Sequence, residues 1–349
     1  MTQEEFLSHT QQFAQNYTIL FTNIEDVNKK YEIGRFEDKV CRFCGRNAIQ
    51  TTFDNVSHAI PESLGNKTII CLDECDKCNT DFANQIENHL DKITLPYRTI
   101  NFLKGKKKVP KYKTLDEKLR IETINREKKE FKVEARADSD FVDMNEETKT
   151  ITINYDLQSH IPSAAYKALV KMSLSVMPES ELQNFKICKQ WILEKDHSKD
   201  LMSPLKVLMT FVPGINPFEK TIVFLFKQNH EDEKYPCYMF VMAFGNIMYQ
   251  IVVPSDKEIT QSHSNKTILK FLSPFEVNWA LGSPVHRILD WSQNTIRKAH
   301  KEYFEFGYDE IKQIIKDGKQ IDTQSLEKHE EFQKELDKYQ KPDSIDKVE

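Results

Sequence analysis

The sequence predicts an α+β protein in which a small cysteine-held module precedes a larger α+β domain with an antiparallel sheet and flanking helices. Three observations lead to this prediction. Two Cys-x2-Cys pairs lie in the first quarter of the chain, apolar residues at helical spacing follow them, and a run of β-branched and aromatic segments fills part of the second half. At 349 residues, the chain is long enough to bury a core without disulfides or metal.

Composition and charge limit the class of partner. The 49 Lys and Arg residues face 54 Asp and Glu, a net charge of −5, so contact with nucleic acid requires a local basic patch. The start, MTQEEFLSHTQQFAQNY, lacks the basic beginning and apolar core of a signal peptide, and no segment holds about 18 uninterrupted apolar residues. We therefore expect a cytoplasmic protein without membrane contact. In that reducing compartment, the seven cysteines indicate metal rather than disulfides.

The first predicted elements are helices. Apolar residues at helical spacing predict a helix from Glu4 to about Tyr17, which leads into the cysteine module. After Asn79, a second apolar stripe predicts a helix whose N-terminus carries the second cysteine pair. The stripe consists of Phe82, Ile86, Leu90 and Ile93. On this helix, His89 is expected to face solvent.

A lysine-rich stretch, LKGKKKVPKYK, follows this helix. It holds six lysines from Lys104 to Lys113 around one Gly and one Pro, which is typical of an exposed linker with a positive field. After it, LRIETI, EFKVEAR and KTITINYD predict strands, the last two joined by a turn near Asn145. SAAYKALVKMSLSVM and ESELQNFKICKQWILEK predict two helices separated at Pro178, and the first is expected to be buried because most of its surface is apolar.

The later part of the chain predicts a sheet. LKVLMTFV, TIVFLFKQ, CYMFVMAF and IMYQIVV are rich in β-branched and aromatic residues, and Gly245-Asn246 between the last two is a hairpin signal. We therefore expect an antiparallel meander. Its alternating aromatic residues are expected in the core: Phe224, Phe226, Tyr238, Phe240, Phe244 and Tyr249. A helix is expected again from about Ser292 to Gly318.

These patterns divide the chain into predicted segments, with boundaries at the shifts of composition. They are an N-terminal helix and lead-in at 1–38, the cysteine module at 39–96, a basic linker at 97–118, an α+β regulatory or target-recognition domain at 119–320 and a charged C-terminal tail at 321–349. No internal repeat is visible.

Four of the cysteines have the spacing of metal ligands. Cys41 and Cys44 form one pair, Cys75 and Cys78 the other, with 30 residues between the pairs. Each C-x2-C turn directs two thiolates to one point, so the two pairs complete a tetrahedral zinc site. Because a four-sulfur zinc leaves no open position for water, we expect a structural zinc. The remaining cysteines are expected to pack in the core: Cys71, Cys188 and Cys237.

The order of these motifs resembles the HNH endonuclease family. The first C-x2-C is followed by SHAIPESLGN and then by C-x2-C-N at a predicted helix start, which is similar to a branch with H-x-I-P-x-x-L-G before a Cys-Asn helix start. The likeness covers residues 39–96. It implies a ββα-metal fold stabilised by the four-cysteine zinc, and an endonuclease that uses one catalytic Mg²⁺ or Mn²⁺ ion.

The resemblance also implies three site residues. His58 matches the first histidine of the family, the general base that deprotonates the attacking water, a role that imidazole suits near neutral pH. Asn66 matches the middle residue, which braces the loop and orients the histidine. Asn79 matches the third letter, a ligand of the catalytic ion, and an amide oxygen suits Mg²⁺. The zinc would pin the hairpin of His58 to the helix of Asn79.

One position departs from the family pattern. Ser57 stands where many members have an Asp that binds the catalytic metal. Another carboxylate is therefore expected to help, and the nearby candidates are Asp54, Glu62 and Glu87. Glu87 resembles a recurrent acidic position of this branch and is a candidate metal ligand. It lies about 12 Å along a regular helix from Asn79, so a supporting role behind the ligands stays equally open.

The lysine-rich stretch is a candidate contact for nucleic acid. Lysine needs only proximity to bind phosphate, and the stretch lies just beyond the predicted nuclease helix. The candidate residues are Lys104, Lys106, Lys107, Lys108 and Lys111. A solvated linker is the alternative interpretation.

Two functional hypotheses follow. The first is a metal-dependent DNA endonuclease, with double-stranded DNA as the preferred substrate and RNA cleavage as a variant. Such a chain resembles effectors of bacterial defence against phage, which respond to an activating protein or a small-molecule signal. Cutting two strands with one active site per chain favours a homodimer. The second hypothesis is a non-catalytic zinc module that binds nucleic acid, with Ser57 marking the loss of the metal carboxylate.

Overall fold

A computed structural model describes residues 3–308 except 35, 36, 38, 137, 138, 215, 231, 233, 261–266 and 273–281, and beyond residue 308 only 314–316 and 319–321. The helices are α1 Gln3–Asn16, α2 Asp76–Phe82, α3 Asn88–Ile100, α4 Pro162–Ser175, α5 Lys186–Leu193 and α6 Asp256–Thr260. A π-helical turn, Ala83–Glu87, joins α2 to α3, and 3-10 turns span Glu62–Leu64 and Glu179–Phe185.

The strands complete the secondary structure. They are β1 Tyr17–Thr22, β2 Tyr31–Ile33, β3 Ser57–His58, β4 Ile69–Cys71, β5 Tyr112–Lys113, β6 Leu119–Asn125, β7 Glu130–Ala135, β8 Val142–Asn145, β9 Thr150–Leu157, β10 Lys206–Phe211, β11 Phe218–Gln228, β12 Tyr238–Gly245, β13 Ile247–Val252, β14 Val285–Asp290, β15 His300–Gly307, β16 Ile314–Lys316 and β17 Lys319–Ile321. This mixture of helices and mostly antiparallel sheets confirms the predicted α+β class.

The chain forms two compact units. The first consists of Met1–Tyr112, Ile121–Lys132 and Leu157–His300, and the second of Lys113–Arg120, Val133–Asp156 and Lys301–Glu349. The cysteine module and the six-stranded sheet both belong to the first unit. The segment boundaries drawn from the sequence stay a prediction. None of the described helices is both long and apolar enough to cross a membrane.

The six-stranded sheet is antiparallel and has the order β1-β11-β12-β13-β10-β14. Strands β11 to β13 form the predicted meander, and Phe244 pairs with Ile247 across the turn Gly245-Asn246. Gly245 has a φ of +57°, the left-handed conformation that a tight hairpin turn requires. In contrast, β10 pairs with β13 rather than with β11, and the edge strands β1 and β14 were not predicted.

Both faces of this sheet are covered, so β12 is buried at every position. Alternate residues of β11 point to opposite faces. Leu225 packs in the core that includes α4 and the cysteine module, whereas Phe226 packs against Phe13 of α1 with ring centroids 4.9 Å apart. The six aromatic residues predicted for the core are all at most 6% exposed.

The helices after residue 160 match the sequence in part. Helix α4 is buried along its whole length, as expected, and Pro178 separates it from the next helical stretch. That stretch begins as a 3-10 helix and becomes α5. The expectation that His89 faces solvent is wrong, because its ring is half-buried and Nδ1 accepts a hydrogen bond from the N–H of Ile161 at 3.0 Å.

Two predictions near the second unit are wrong. The helix expected from about Ser292 is absent over the described residues, because 300–307 is strand β15, whose aromatic residues favour a pleated surface. There, Phe304 stacks on Tyr155 of β9 with ring centroids 4.4 Å apart. The strand β9 also pairs with β8 rather than with β7, so the turn after Asn145 joins β8 to β9. The predicted C-terminal tail lies outside the described residues after Ile321.

Candidate active site

The sulfurs of the two cysteine pairs converge. The Sγ atoms of Cys41, Cys44, Cys75 and Cys78 all lie within 4.8 Å of one another. Those of Cys44 and Cys75 are 3.8 Å apart. A tetrahedron with zinc–sulfur bonds of about 2.3 Å gives a sulfur–sulfur separation of about 3.8 Å, so the cluster fits a four-cysteine zinc. Cys71 is 1% exposed and lies outside the cluster, as predicted.

The cysteine cluster joins a hairpin to a helix. Strands β3 and β4 are antiparallel, with His58 opposite Ile70, and β2 runs parallel to β4 on its other side. Helix α2 begins directly after Cys75, whose Sγ accepts a hydrogen bond from the N–H of Cys78. A hairpin followed by a helix is the ββα arrangement that the sequence predicted.

His58 and Ser57 lie on opposite faces of the short strand β3, because side chains alternate along a strand. Ser57 is 1% exposed, and its Oγ donates a hydrogen bond to the carbonyl of Glu74 at 3.3 Å. The ring of His58 is half-buried on the other face. The serine that replaces the expected Asp is therefore a buried structural residue in this chain.

Four charged side chains act on His58. Burial lowers the pKa of its imidazole, which favours the neutral ring that can accept a proton. Glu62 and Glu87 oppose this shift. Lys171 and Lys106 reinforce it. At neutral pH this shift favours the unprotonated form of the ring, which is the form that a general base requires.

Asn66 uses every polar position of its side chain on the backbone. Its Nδ2 donates to the carbonyls of Ile60 at 2.6 Å and Ile69 at 3.0 Å. Its Oδ1 accepts from the N–H groups of Thr68 at 3.1 Å and Ile69 at 2.9 Å. Because Ile60 lies two residues after His58, this buried amide holds the chain between the strand of His58 and strand β4.

Asn79 and Glu87 share a face of the long helical run because of its π turn. Eight residues of a regular α-helix rotate by about 800°, which would leave Glu87 about 80° from the face of Asn79. The π turn takes up one extra residue and brings the two to within about 20° of each other, two turns apart along the axis. The four-residue spacing of Phe82, Ile86 and Leu90 is equally compatible with a regular helix, so the sequence does not signal this turn.

Glu87 belongs to a buried ion network that the sequence did not predict. The Nζ of Lys171, on α4, lies 3.2 Å from Oε1 of Glu87 and 3.1 Å from Oε2 of Glu74. The same Nζ donates to the carbonyl oxygen of His58 at 3.3 Å. Burial lowers the pKa of Lys171, but Glu74 and Glu87 outweigh it and raise that pKa, so the ammonium stays charged.

The lysine-rich stretch lies against the turn that follows β3. Gly105 is buried there, and a Cβ on it would lie 3.4 Å from the Cα of Ser63 and 3.5 Å from the carbonyl oxygen of Glu62. Lys111 forms an ion pair with Glu122. The other predicted lysines are exposed beside this turn: Lys104, Lys106, Lys107 and Lys108.

Comparison with known proteins identifies the module. Residues 41–95 match a family model described as HNH endonuclease, which confirms the resemblance for 55 of the 349 residues. Searches of curated proteins and of solved structures returned no match. The matched segment begins at the first cysteine of the zinc cluster and ends inside α3. Lys171 and the exposed lysines lie beyond it.

Proposed function

We propose that this chain is a metal-dependent endonuclease that hydrolyses phosphodiester bonds of DNA at the site around His58. The observation that carries the proposal is the position of this imidazole. It lies in a segment that matches HNH endonucleases, on a strand held by Asn66, and burial lowers its pKa, which favours the neutral ring.

In this proposal His58 accepts the proton of the attacking water, and Asn66 fixes the strand that carries it. The Asn79 amide and the Glu87 carboxylate are hard oxygen donors of the kind that a divalent cation prefers, and they lie two turns apart on one face of the helical run, so Asn79 would hold the ion directly and Glu87 would act from the next turns. Mg²⁺ or Mn²⁺ bound there would supply neutralisation of the charge that develops on the phosphate.

The exposed lysines next to the 3-10 turn after β3 support nucleic acid as the substrate class. Four cationic side chains on one loop offer a local positive field in a chain whose net charge is −5. Such contacts position a phosphate backbone without reading its sequence. We place the preferred substrate as double-stranded DNA, and two copies of the chain would then be needed to cut both strands with one site each.

The proposal includes the biological role that the resemblance implies, which is an effector of bacterial defence against phage controlled by a protein or small-molecule signal. The second unit contains no part of the cysteine module and is the part of the chain to which we assign the receipt of such a signal. Plating of phage on bacteria that express the natural chain or His58→Ala tests it. Equal plaque counts on both strains contradict this role.

The enzymatic proposal is tested with plasmid DNA and a matched RNA, each incubated with Mg²⁺ or Mn²⁺. We expect the natural chain to cut DNA and His58→Ala to lose at least about 100-fold in rate, the usual scale for a general base. The control is His9→Ala on α1, a histidine outside the matched segment. Cleavage that survives His58→Ala contradicts the assignment of His58 as the base. Faster cutting of RNA than of DNA contradicts the assignment of DNA as the substrate.

A further inference from the structure

We propose that Lys171 is a positioning residue of the nuclease site, supplied by a helix outside the matched segment, whose buried ammonium fixes the backbone of His58 relative to the carboxylate of Glu87. This inference rests on the proposed function. It assigns to α4 a part in the active site that the family match at residues 41–95 does not contain.

The ammonium of Lys171 lies close to three oxygen atoms. It donates a hydrogen bond to one of them and forms ion pairs with the other two. Its three partners are Oε2 of Glu74 at 3.1 Å, Oε1 of Glu87 at 3.2 Å and the carbonyl oxygen of His58 at 3.3 Å. These partners belong to the residue before Cys75, the π turn and strand β3. One nitrogen atom therefore ties the strand of the base to the helix of the candidate metal ligand.

Because Lys171 and Glu74 are buried, water cannot replace the contacts between their charged groups. The side chain of Lys171 is 1% exposed, and that of Glu74 is 0% exposed. Neither carboxylate oxygen of Glu74 has a hydrogen-bond donor among the described residues, so the nearby ammonium is what compensates its charge. A buried charge without a partner is strongly destabilising. Lys171 is thus held in place by Glu74, while its other two contacts reach the site.

A second buried cation holds the C-terminal end of α4 against the module. Arg42, between two zinc cysteines, donates to the carbonyls of Leu174 and Ser175 at 2.8 Å and of Met177 at 3.3 Å. It also forms a buried ion pair with Asp73 at 2.6 Å. The module and α4 therefore each insert a cation into the other. A helix anchored in this way places Lys171 with the rigidity that a catalytic geometry requires.

The same helix supplies a matched control. Lys167 lies one turn before Lys171 and is equally buried at 0% exposure. Its Nζ donates to the carbonyl of Glu194 at 3.1 Å and lies 5.1 Å from the ring centroid of Trp191. Both lysines place an ammonium inside the first unit, but Glu194 and Trp191 lie outside the nuclease site.

The test compares Lys171→Met, the double variant Lys171→Met with Glu74→Gln, and Lys167→Met in the full chain. The double variant removes the buried cation and its compensating charge together, so it keeps a folded protein without the positioning contacts. For each we measure thermal unfolding, bound zinc, and plasmid cleavage as a function of Mn²⁺ concentration and pH.

We expect the double variant to fold and keep its zinc, to cut at least about 10-fold more slowly, and to need about 10-fold more Mn²⁺ for half-maximal rate, the usual effect of losing a group that orients ligands. Lys167→Met is expected to keep the Mn²⁺ dependence of the natural chain. A folded double variant with an unchanged rate and Mn²⁺ dependence overturns the inference, as does an equal shift in Lys167→Met.

Two reference proteins, the natural chain and His58→Ala, show whether the proposed function or only the role of Lys171 fails. If the natural chain does not cut, or if His58→Ala cuts equally well, the proposed function fails and the role of Lys171 falls with it. If both reference proteins behave as proposed while the double variant resembles the natural chain, the role of Lys171 alone is refuted. If the double variant itself fails to fold, Lys171 is a structural residue, which also contradicts the inference.

Discussion

The hairpin that carries His58 is supported at two places, and the two supports differ in origin. At one, four cysteines within 38 residues, 41 to 78, bring their sulfurs within 4.8 Å of one another. At the other, a single ammonium comes from Lys171 on α4, 93 residues after the last of those cysteines. The first support is local, and the spacing of the cysteine pairs reveals it in the sequence. The second forms only once α4 has packed against the module. The cysteine cluster is thus made by the module alone, whereas the ion network of Lys171 depends on the larger fold.

The strongest test of the local support removes the zinc ligands. Cys75→Ser with Cys78→Ser should release the zinc and unfold the module, since zinc binding to such sites is worth about 10–16 kcal/mol of folding free energy in small peptides. We expect complete loss of cleavage and rapid proteolysis within residues 41–95. The paired control is Cys71→Ser, which should retain zinc in metal analysis. Full zinc content in the double variant contradicts the cluster.

The next test cuts the anchor of α4. Arg42→Met leaves Asp73 and three carbonyls without their donor, and breaking a buried ion pair costs about 3–5 kcal/mol. The free energy of unfolding, measured by denaturant titration, should fall by that amount while the zinc stays bound. Lys77→Met, which breaks the exposed pair with Asp81, should leave stability unchanged. Equal stability of the two variants would show that α4 is not anchored by Arg42.

A third test concerns Asn66, whose side chain holds the backbone between β3 and β4. Asn66→Asp keeps the size of the side chain but replaces its two donors by an acceptor facing the carbonyls of Ile60 and Ile69. Leaving buried groups unsatisfied costs about 1–3 kcal/mol each. We expect a lower melting temperature and slower cleavage with zinc retained, read by calorimetry and metal analysis. Unchanged melting would remove Asn66 as a brace.

The exposed lysines should affect substrate binding without touching either support. Changing Lys104, Lys107 and Lys108 to Glu should weaken DNA binding at low salt equally for all sequences, and should lower the slope of log K against log salt by about 0.9 for each phosphate that is no longer neutralised. Lys111→Gln is the control, because that lysine is already paired with Glu122. A triple variant with the affinity of the natural chain removes this loop from the binding surface.

The smallest expected effect concerns pH. Burial lowers the pKa of His58, so the neutral base persists into mildly acidic solution and cleavage falls only as pH drops through that lowered pKa. Lys106→Gln removes a neighbouring positive charge, which raises this pKa and moves the acid limb of the rate profile to higher pH. Glu62→Gln should move it to lower pH. Shifts in the same direction for both variants would exclude His58 as the titrating group.

Local patterns in the sequence predicted the parts of the fold that are built locally. Two cysteine spacings predicted the metal cluster, and Gly245-Asn246 predicted the hairpin between β12 and β13. Long-range pairings could not be derived in this way, because no local pattern tells which strand β10 will join or that β1 will complete the sheet. The π turn could not be derived either, because the four-residue spacing of the apolar residues around it is also that of a regular helix.

The site divides in the same manner. His58, Asn66 and Asn79 follow from motif order, and their roles stay a prediction. Lys171 was hidden in a helix whose apolar composition predicted burial, although a lysine in such a helix is itself a signal of a buried acid nearby. Its partner Glu74 could not be distinguished from other acids near the cysteines, since burial and pairing depend on the packing of α4.

The order of synthesis gives the position of α4 a further consequence. A growing chain presents the four cysteines to zinc long before residue 171 leaves the ribosome, so the clamp can close on a hairpin whose alignment is still incomplete. If the proposed function holds, an unfinished chain would bind zinc before Lys171 can align the strand of His58, so the site would be completed only late in synthesis.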